Sequence, residues 1–356
     1  AALLDFDIRW LWPSAQAEGA LCSCPVTAEA LTGALHAMAQ QGNTPFGVYV
    51  TSPDYLGGVQ ELPALAAVCR AQDVPLLVDN AHGAYLRFLP QNCHPIAQGA
   101  AMCCDSAHKT LPVVTGGAYL HLAHDAPVQD EAAVRGALAL FGSTSPSYLI
   151  LQSLDACNAV LEGDYPRRLV QCCAALEGLR RSLNKAAAAR QCPVPLAVAG
   201  AQQEPMKLTL DAAALGCTGT ALAEAMRRAQ MECEYADPRY VVLMFTPENP
   251  PQDYTRLQTV LEQLLAAVPA GLSRPENRAG EFAALQQQAV QCCTIRQAVL
   301  GAQVRIPVHK ALGRVCAMPT VSCPPAIPVA VSGEEITPAA IVLMQRYGIE
   351  ELSVLR

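Results

Sequence analysis

A strand–helix–strand pattern in the first quarter of the chain most constrains the fold. Residues 46–50 and 74–78 are short apolar runs, and residues 60–72 between them carry apolar side chains at helical spacing. This order predicts two parallel strands joined by a right-handed helical crossover. Two further short strands are predicted at residues 100–104 and 117–122. The expected fold class is therefore α/β, with a mostly parallel sheet.

Polar residues stand at or just beyond the ends of three predicted strands. Thr51 follows the first strand, Asp79 the second and Ser106 the third, and Lys109 lies in the turn after Ser106. In open α/β sheets the ligand crevice lies beyond the carboxyl ends of the strands. We therefore expect these side chains to converge on one site.

Asp79 and Lys109 are the two groups that a pyridoxal-phosphate enzyme needs. A carboxylate keeps the pyridine nitrogen protonated, so that the ring can act as an electron sink, and a lysine forms a Schiff base with the aldehyde. Each residue has an alternative role, because Asp79 can cap the following turn and Lys109 can be a surface lysine. The apolar sequence around Lys109 favours the cofactor role, since burying an unpaired charge is costly.

The residues beside these two suit the same chemistry. Ala81 is small enough to let a flat ring lie against the backbone, and Gly83 permits a turn. His82 can assist proton transfer or be a structural imidazole. Ser106 and His108 can hydrogen-bond a phosphate, and His108 can alternatively orient the lysine. The predicted catalytic residues are Lys109, His82 and Asp79.

The second part of the chain has the pattern of an α+β domain. Residues 148–184 show helical periodicity. Strands are predicted at residues 206–210 and 240–245, and helices at residues 221–231 and 254–267. A glycine-containing turn at residues 216–219 leads into the first of these helices.

The C-terminal part is separated by a polar, proline-containing stretch at residues 269–276, which predicts a linker. A helix, a proline-rich segment at residues 323–328, and a final short helix and strand follow it. The predicted domains are an incomplete cofactor-binding domain at residues 1–155, a small α+β domain at residues 156–270 and a C-terminal α+β domain at residues 271–356.

Composition excludes several classes of protein. The formal net charge of −7 argues against nucleic-acid binding, which favours a basic surface. No apolar run reaches the roughly 18 residues of a membrane span. The sixteen cysteines include adjacent pairs and no C-x2-C spacing, so they predict reduced thiols, no metal site and a cytoplasmic location.

Three motifs together resemble the Orn/Lys/Arg decarboxylases of fold type I. They are TSPDY at residues 51–55, LVDNAHGA at residues 77–84 and DSAHKTLP at residues 105–112. Residues 143–148 look like that family's segment near the subunit interface. The proline-rich segment, with residues 306–315, is similar to its C-terminal domain and narrows the resemblance to this family.

The resemblance implies roles for the predicted site residues. Lys109 would carry pyridoxal 5'-phosphate, and Asp79 would pair with its pyridinium nitrogen. Ser106 and His108 would touch the phosphate or position the lysine, and Thr51 would lie near the ring hydroxyl. The reaction would be decarboxylation of arginine, lysine or ornithine to the amine and CO2. The amine would serve polyamine synthesis or acid resistance, and the protein would be a homodimer or higher homo-oligomer.

Two other functions stay open at this point. The protein could be an aminotransferase or lyase that uses the same cofactor, or a truncated, non-catalytic subunit. The second alternative is supported because the family's phosphate-binding loop at a helix N-terminus is not found before Thr51, so we expect the chain to lack an N-terminal part. Asp54, Glu334 and Glu335 are candidates for recognising a basic substrate, and the sequence does not choose among the three amino acids.

Overall fold

The computed structural model describes residues 1–12, 22–193, 202–269, 271, 289–319 and 328–356. Its first sheet has four strands in the order β1-β2-β3-β4. The three strands β1 to β3 are parallel, and the edge strand β4 is antiparallel to β3. This confirms the α/β class and the mostly parallel sheet. The bounds are β1 Val48–Thr51, β2 Leu76–Asp79, β3 Met102–Asp105 and β4 Tyr119–Leu122.

Two helices cover one face of this sheet. Helix α1 (Ala28–Gln40) begins at Thr27, whose hydroxyl accepts a hydrogen bond from the Ala30 amide, and α2 (Leu62–Ala71) is the predicted crossover. Leu65 of α2 and Val78 of β2 lie in the apolar core between helices and sheet. Burying a leucine side chain of this kind stabilises the fold by about 1.5–3 kcal/mol.

The opposite face of the sheet is more open in the described part of the chain. Tyr49 is 61% exposed, and Cys104 is exposed as well. Because side chains alternate along a strand, Thr51, Asp79 and Cys104 form a row across β1, β2 and β3, in which each is the register partner of the next. Of the predicted site residues, Thr51 and Asp79 therefore lie on the face of the sheet that α1 and α2 do not cover.

The next part of the chain consists of helices and an antiparallel sheet with the strand order β5-β7-β6. The helices are α3 Ala107–Thr110, α4 Glu131–Phe141, α5 Tyr148–Glu162, α6 Tyr165–Ala189, α7 Gly219–Arg228 and α8 Pro251–Ala267. The strands are β5 Lys207–Asp211, β6 Tyr235–Ala236 and β7 Tyr240–Met244. The predicted turn at residues 216–219 does lead into α7. One apolar cluster joins Leu176, Leu208 and Val241 to Tyr85 and Ala107 beside the first sheet.

The C-terminal part has its own apolar core, which contains Val308, Ile336, Leu343 and Val354. Its elements are α9 Ile295–Leu300, β8 Gln303–Pro307, α10 Pro338–Arg346 and β9 Glu351–Leu355. The predicted final helix and strand correspond to α10 and β9. Most of the predicted linker and residues 320–327 of the proline-rich region lie outside the described residues. A helix is predicted between them, and α9 is a described helix in that interval.

The structure also bears on the predictions of reduced cysteines and of a chain without a membrane-spanning segment. The fifteen cysteines in the described ranges are all free thiols, as the adjacent pairs predict. None of the described helices combines the length and the apolar character needed to cross a bilayer.

Gly83 is required by the packing of the turn that follows β2. Its φ of −124° is ordinary, so backbone conformation is not the reason for glycine here. A Cβ atom at this position would clash with Asn80 Oδ1 and would lie 2.8 Å from both Leu86 Cδ1 and Pro53 Cδ. The turn can therefore pack against the Ser52–Pro53 segment only because residue 83 has no side chain.

We expect Gly83→Ala to lower the free energy of unfolding by about 1–3 kcal/mol, because the added methyl group overpacks this turn. Urea denaturation measures the change. Gly33→Ala is the matched control, since a Cβ at that exposed position of α1 meets nothing within 4 Å. It should stabilise the protein by about 0.5–1 kcal/mol. Equal effects of the two substitutions would contradict the packing argument.

Candidate active site

Asp79, the last residue of β2, is half-buried at the carboxyl edge of the sheet. Its Oδ1 accepts a hydrogen bond of 3.0 Å from the Ala81 amide, and its Oδ2 accepts one of 3.3 Å from the Tyr49 hydroxyl. The first bond is the turn cap that the sequence left open as an alternative. The other carboxylate oxygen of Asp79, Oδ2, lies on the open face of the sheet, beside Thr51.

Lys109 lies on α3, the single helical turn that follows β3. The turn is closed by backbone hydrogen bonds from Lys109 to Ser106 (3.0 Å) and from Leu111 to Ala107 (2.8 Å). The buried Ala107 anchors it in the large core. Lys109 is half-buried, and its Nζ lies 3.3 Å from Nε2 of His82. The structure thus brings together two of the predicted catalytic residues, which are 27 positions apart.

His82 is held as a neutral imidazole. It is 5% exposed, and its ring lies edge-on to Tyr55 with 4.9 Å between the centroids. Burial lowers the pKa of His82 to about 2, and the positive charges of Lys207 and Lys109 act in the same direction. A neutral ring can accept a hydrogen bond at Nε2 from the Lys109 amine. Its Nδ1 is buried without a hydrogen-bond partner among the described residues.

The other predicted residues are placed as follows. Ser106 precedes α3, and its hydroxyl does not cap that helix. Nδ1 of His108 lies 2.9 Å from the Gly117 carbonyl, so this ring holds the loop before β4. Ala81 is half-buried beside His82 in the turn. Thr51 is half-buried and is the register partner of Asp79.

A set of charged and phenolic groups beside His82, of which Tyr55 and Lys207 are buried, was not predicted. Nζ of Lys207 donates to the carbonyl groups of Asp54 (3.1 Å) and Tyr55 (3.3 Å) and lies 5.4 Å from the Tyr55 ring centroid. The Tyr55 hydroxyl donates to Glu234 at 2.8 Å, so the ring beside His82 is fixed from both ends. Burial lowers the pKa of Lys207.

The acidic residues considered for substrate recognition have local roles. The Asp54 carboxylate accepts hydrogen bonds from the amides of Gly58 (2.8 Å) and Cys24 (3.3 Å), and burial raises the pKa of Asp54 to about 6. The Glu334 carboxylate accepts a hydrogen bond from the Val331 amide in the C-terminal core, and Glu335 is exposed. Asp54 and Glu334 therefore hold backbone turns.

A second group of polar side chains lies behind the lysine turn. Nε2 of His94 and Nε2 of His121 lie 3.1 and 3.0 Å from the same Asp105 oxygen, Oδ2. Asn80 donates to the other oxygen, Oδ1, at 2.7 Å. Burial by itself would raise the pKa of Asp105, but the hydrogen bonds from His121, His94 and Asn80 outweigh it and lower the pKa. These residues are far apart in sequence, and no ligand spacing indicated them.

Residues 10–252 match the family described as Orn/Lys/Arg decarboxylase, major domain. An uncharacterized protein of Bacillus subtilis (strain 168), YaaO, is 28% identical over 310 residues, which are 84% of this chain and 61% of that protein. An arginine decarboxylase of the same organism is 27% identical over 299 residues, with 82% and 59% covered. The chain therefore spans about three fifths of the length of these relatives.

Solved structures agree on the fold. A constitutive lysine decarboxylase of E. coli superposes with a TM-score of 0.67 at 17% identity, covering 93% of this chain and 61% of that chain. Lysine decarboxylase A from Pseudomonas aeruginosa gives 0.69 at 16% identity, with the same coverage. The fold is thus that of fold type I pyridoxal-phosphate enzymes, and pyridoxal 5'-phosphate is the cofactor of the family. Because the family match extends over more than half of the sequence, the chain belongs to the Orn/Lys/Arg decarboxylase family.

Proposed function

We propose that this protein decarboxylates a basic amino acid (arginine, lysine or ornithine), with pyridoxal 5'-phosphate as cofactor, and releases the amine and CO2. One observation carries the proposal: the Asp79 carboxylate and the Lys109 amine follow adjacent parallel strands at the same sheet edge, and His82 contacts the amine. Family membership supports the reaction class. Since the chain spans about three fifths of its relatives, catalysis by this chain is itself part of the proposal.

The residues present fit the cofactor. The hydrogen-bond partner of the half-buried Lys109 amine is a neutral imidazole, which does not offset a positive charge. A covalent link to an aldehyde carbon would relieve this cost. Asp79 keeps an oxygen on the open sheet face, where it can bind a protonated ring nitrogen, and Ala81 adds little bulk beside it. Ser106 precedes the lysine turn with a hydroxyl that does not cap it, so it can bind a phosphate.

The chemistry is divided between cofactor and protein. When bound, pyridoxal 5'-phosphate supplies an electron sink for the Cα–carboxylate bond that breaks. Asp79 stabilises positive charge on the ring nitrogen, and its fixed hydrogen bonds to Ala81 and Tyr49 set its direction. The Lys109 amine would hold the cofactor through its aldehyde carbon. His82 can hold Lys109 Nζ in place by accepting a hydrogen bond at Nε2, because its ring stays neutral across the physiological pH range.

The substrate class and the compartment belong to the same proposal. A cationic substrate is favoured, weakly, by the formal net charge of −7. Fifteen free thiols in the described ranges support a reducing compartment, which we take to be the cytoplasm.

We also propose that the protein is a homodimer or higher homo-oligomer. Helix α4 has no buried residue, and Leu140 and Phe141 on it are 73% and 62% exposed. Tyr148 and Leu149 at the start of α5 are 84% and 71% exposed. Apolar side chains this exposed and this close in sequence indicate a contact surface. Residues 143–148, which resemble the family's interface segment, connect the two helices, so a second copy of the chain is the occupant we propose.

Lys109→Ala should abolish the absorbance of the lysine-bound cofactor and lower amine production by roughly a thousandfold, because both depend on this amine. Absorbance spectra and a coupled CO2 assay with arginine, lysine and ornithine measure the two effects. Lys185→Ala, at an exposed position of α6, is the control and should change neither. Keto-acid formation without CO2 would indicate an aminotransferase instead. A wild-type protein with no absorbance band would indicate a non-catalytic subunit.

His82 should make the fold less stable in acid. Its pKa is about 2 when folded and 6.5 when exposed, so below about pH 6.5 the unfolded chain binds a proton that the folded chain refuses. The cost is about 1.4 kcal/mol per pH unit, or about 2 kcal/mol by about pH 5. Between about pH 7 and pH 5, urea unfolding should show that wild type and the exposed-site control His36→Gln lose about 2 kcal/mol more stability than His82→Gln does, since the buried Asp54 and other groups contribute equally to all three. An identical pH dependence in His82→Gln would refute the neutral buried imidazole.

Leu140→Glu should shift the protein toward monomer, because it places a charge in the proposed contact surface. Light scattering coupled to size-exclusion chromatography gives the mass. Leu300→Glu is the control, since Leu300 is similarly exposed (63%) on the distant α9. A monomeric wild type, or the same oligomer in both variants, would contradict the assignment of this surface.

A further inference from the structure

We propose that His94, Asp105 and His121 form a zinc site, in which the Cys103 thiolate is the fourth ligand. Its ligands are different residues from those assigned to the cofactor, and the site does not depend on the proposed reaction. It would join three segments: the loop that carries His94, strand β3 with Cys103 and Asp105, and strand β4 with His121.

The ligand atoms already converge on one point. Nε2 of His94 and Nε2 of His121 lie 3.1 and 3.0 Å from Asp105 Oδ2, and one ligand atom from each residue lies within 4.8 Å of the other two. A zinc ion about 2.0–2.2 Å from each ligand spaces neighbouring ligand atoms by about 3.3 Å in a tetrahedron. The two nitrogen–oxygen spacings are close to this value. The two imidazole rings stand nearly perpendicular, at 81°, so their nitrogen atoms approach the carboxylate from different sides.

Cys103 is the residue we propose as the remaining donor. Its Sγ stands outside the group of three ligand atoms that lie within 4.8 Å of one another, so the thiol would have to turn toward His121 to complete the site. Its Sγ lies 3.8 Å from Nε2 of His94 and 3.9 Å from Oδ1 of Asp105, and it is 2% exposed. Sulfur lies about 2.3 Å from zinc, so its spacing from the other ligands is expected to be longer. Register pairing places Cys103 directly opposite His121 across β3 and β4, which fixes both backbones.

Asn80 provides the outer support that metal ligands usually have. It donates at 2.7 Å to Asp105 Oδ1, and this bond fixes the carboxylate plane and directs Oδ2 toward the two rings. Asp105 is 3% and His94 5% exposed, so two of the ligands are shielded from water, whereas His121 is half-buried and gives an entry path.

The charges balance in such a site. Each imidazole would bind through Nε2 as the tautomer that carries its proton on Nδ1, and the Cys103 thiol would lose its proton to solvent on binding. Zn²⁺ is then neutralised by one carboxylate and one thiolate. Without the metal the same residues form a hydrogen-bonded network in which both rings donate to Asp105, so the fold survives metal removal.

Zinc binding to the whole chain tests the site. The protein is stripped with EDTA and titrated with ZnCl2 in a calorimeter, and bound zinc is counted by mass spectrometry. We expect one zinc per chain and a higher melting temperature with zinc than without it. His121→Gln keeps a hydrogen bond to Asp105 but removes a good ligand, so its affinity for zinc should fall at least tenfold. His124→Gln, at an exposed neighbouring position, should bind as wild type does.

Cobalt substitution tests the cysteine separately. Co²⁺ in the site should give a thiolate-to-metal absorption band, which Cys103→Ser should abolish and the exposed Cys292→Ser should leave unchanged. Metal binding without this band would overturn the role of Cys103. Absence of saturable binding at one metal per chain, or equal affinities of wild type and His121→Gln, would overturn the site. Melting curves without metal show that each variant is folded.

Discussion

The parallel pairing of β1, β2 and β3 is the interaction on which the site depends. Backbone hydrogen bonding between neighbouring segments extends one residue beyond the ends of the strands. The Ser52 amide donates to the Asp79 carbonyl, and the Asn80 amide donates to the Cys104 carbonyl, each at 2.9 Å. The segments that follow each strand are therefore fixed relative to one another. A shift of one residue in this register would turn Asp79 toward the face that α1 and α2 cover. The position of one carboxylate thus depends on backbone pairing along the whole sheet.

Strands and helices that follow from the local pattern of apolar and polar residues could be predicted from the sequence. The apolar runs before Thr51, Asp79 and Ser106 predicted the strands and the parallel arrangement, because strand length and crossover length leave few alternatives. The helix after the turn at residues 216–219 was also predicted. For Gly83 the need for a turn residue was foreseen, but the physical reason is different, since the constraint comes from Pro53 and Leu86 rather than from the backbone torsions.

Features that depend on contacts between distant segments could not be predicted. Lys207 reaches the carbonyl groups of Asp54 and Tyr55 across about 150 residues of chain, and nothing near it in sequence indicates this. The cluster around Asp105 combines a loop and two strands, and β4 had to be known as antiparallel before His121 could be placed. Such groups become neighbours only through tertiary packing, which spacing along the chain does not encode.

Burial around His82 couples the two parts of the molecule. Lys207 begins a strand of the second sheet, yet its charge helps to keep His82 of the first sheet neutral. A substitution in β5 would therefore alter proton affinity some 125 positions away without touching the ring.

Strand β1 ends the first sheet, and in the described ranges one of its two edges is unpaired. Phe46 and Tyr49 are 70% and 61% exposed next to that edge. A short open row of amides and carbonyls flanked by aromatic rings is a template onto which any extended polypeptide can add as a further strand. In the described ranges, Phe6 already stacks on Phe46 with 5.0 Å between the ring centroids, so the N-terminal residues lie beside the place where a further strand would extend the sheet.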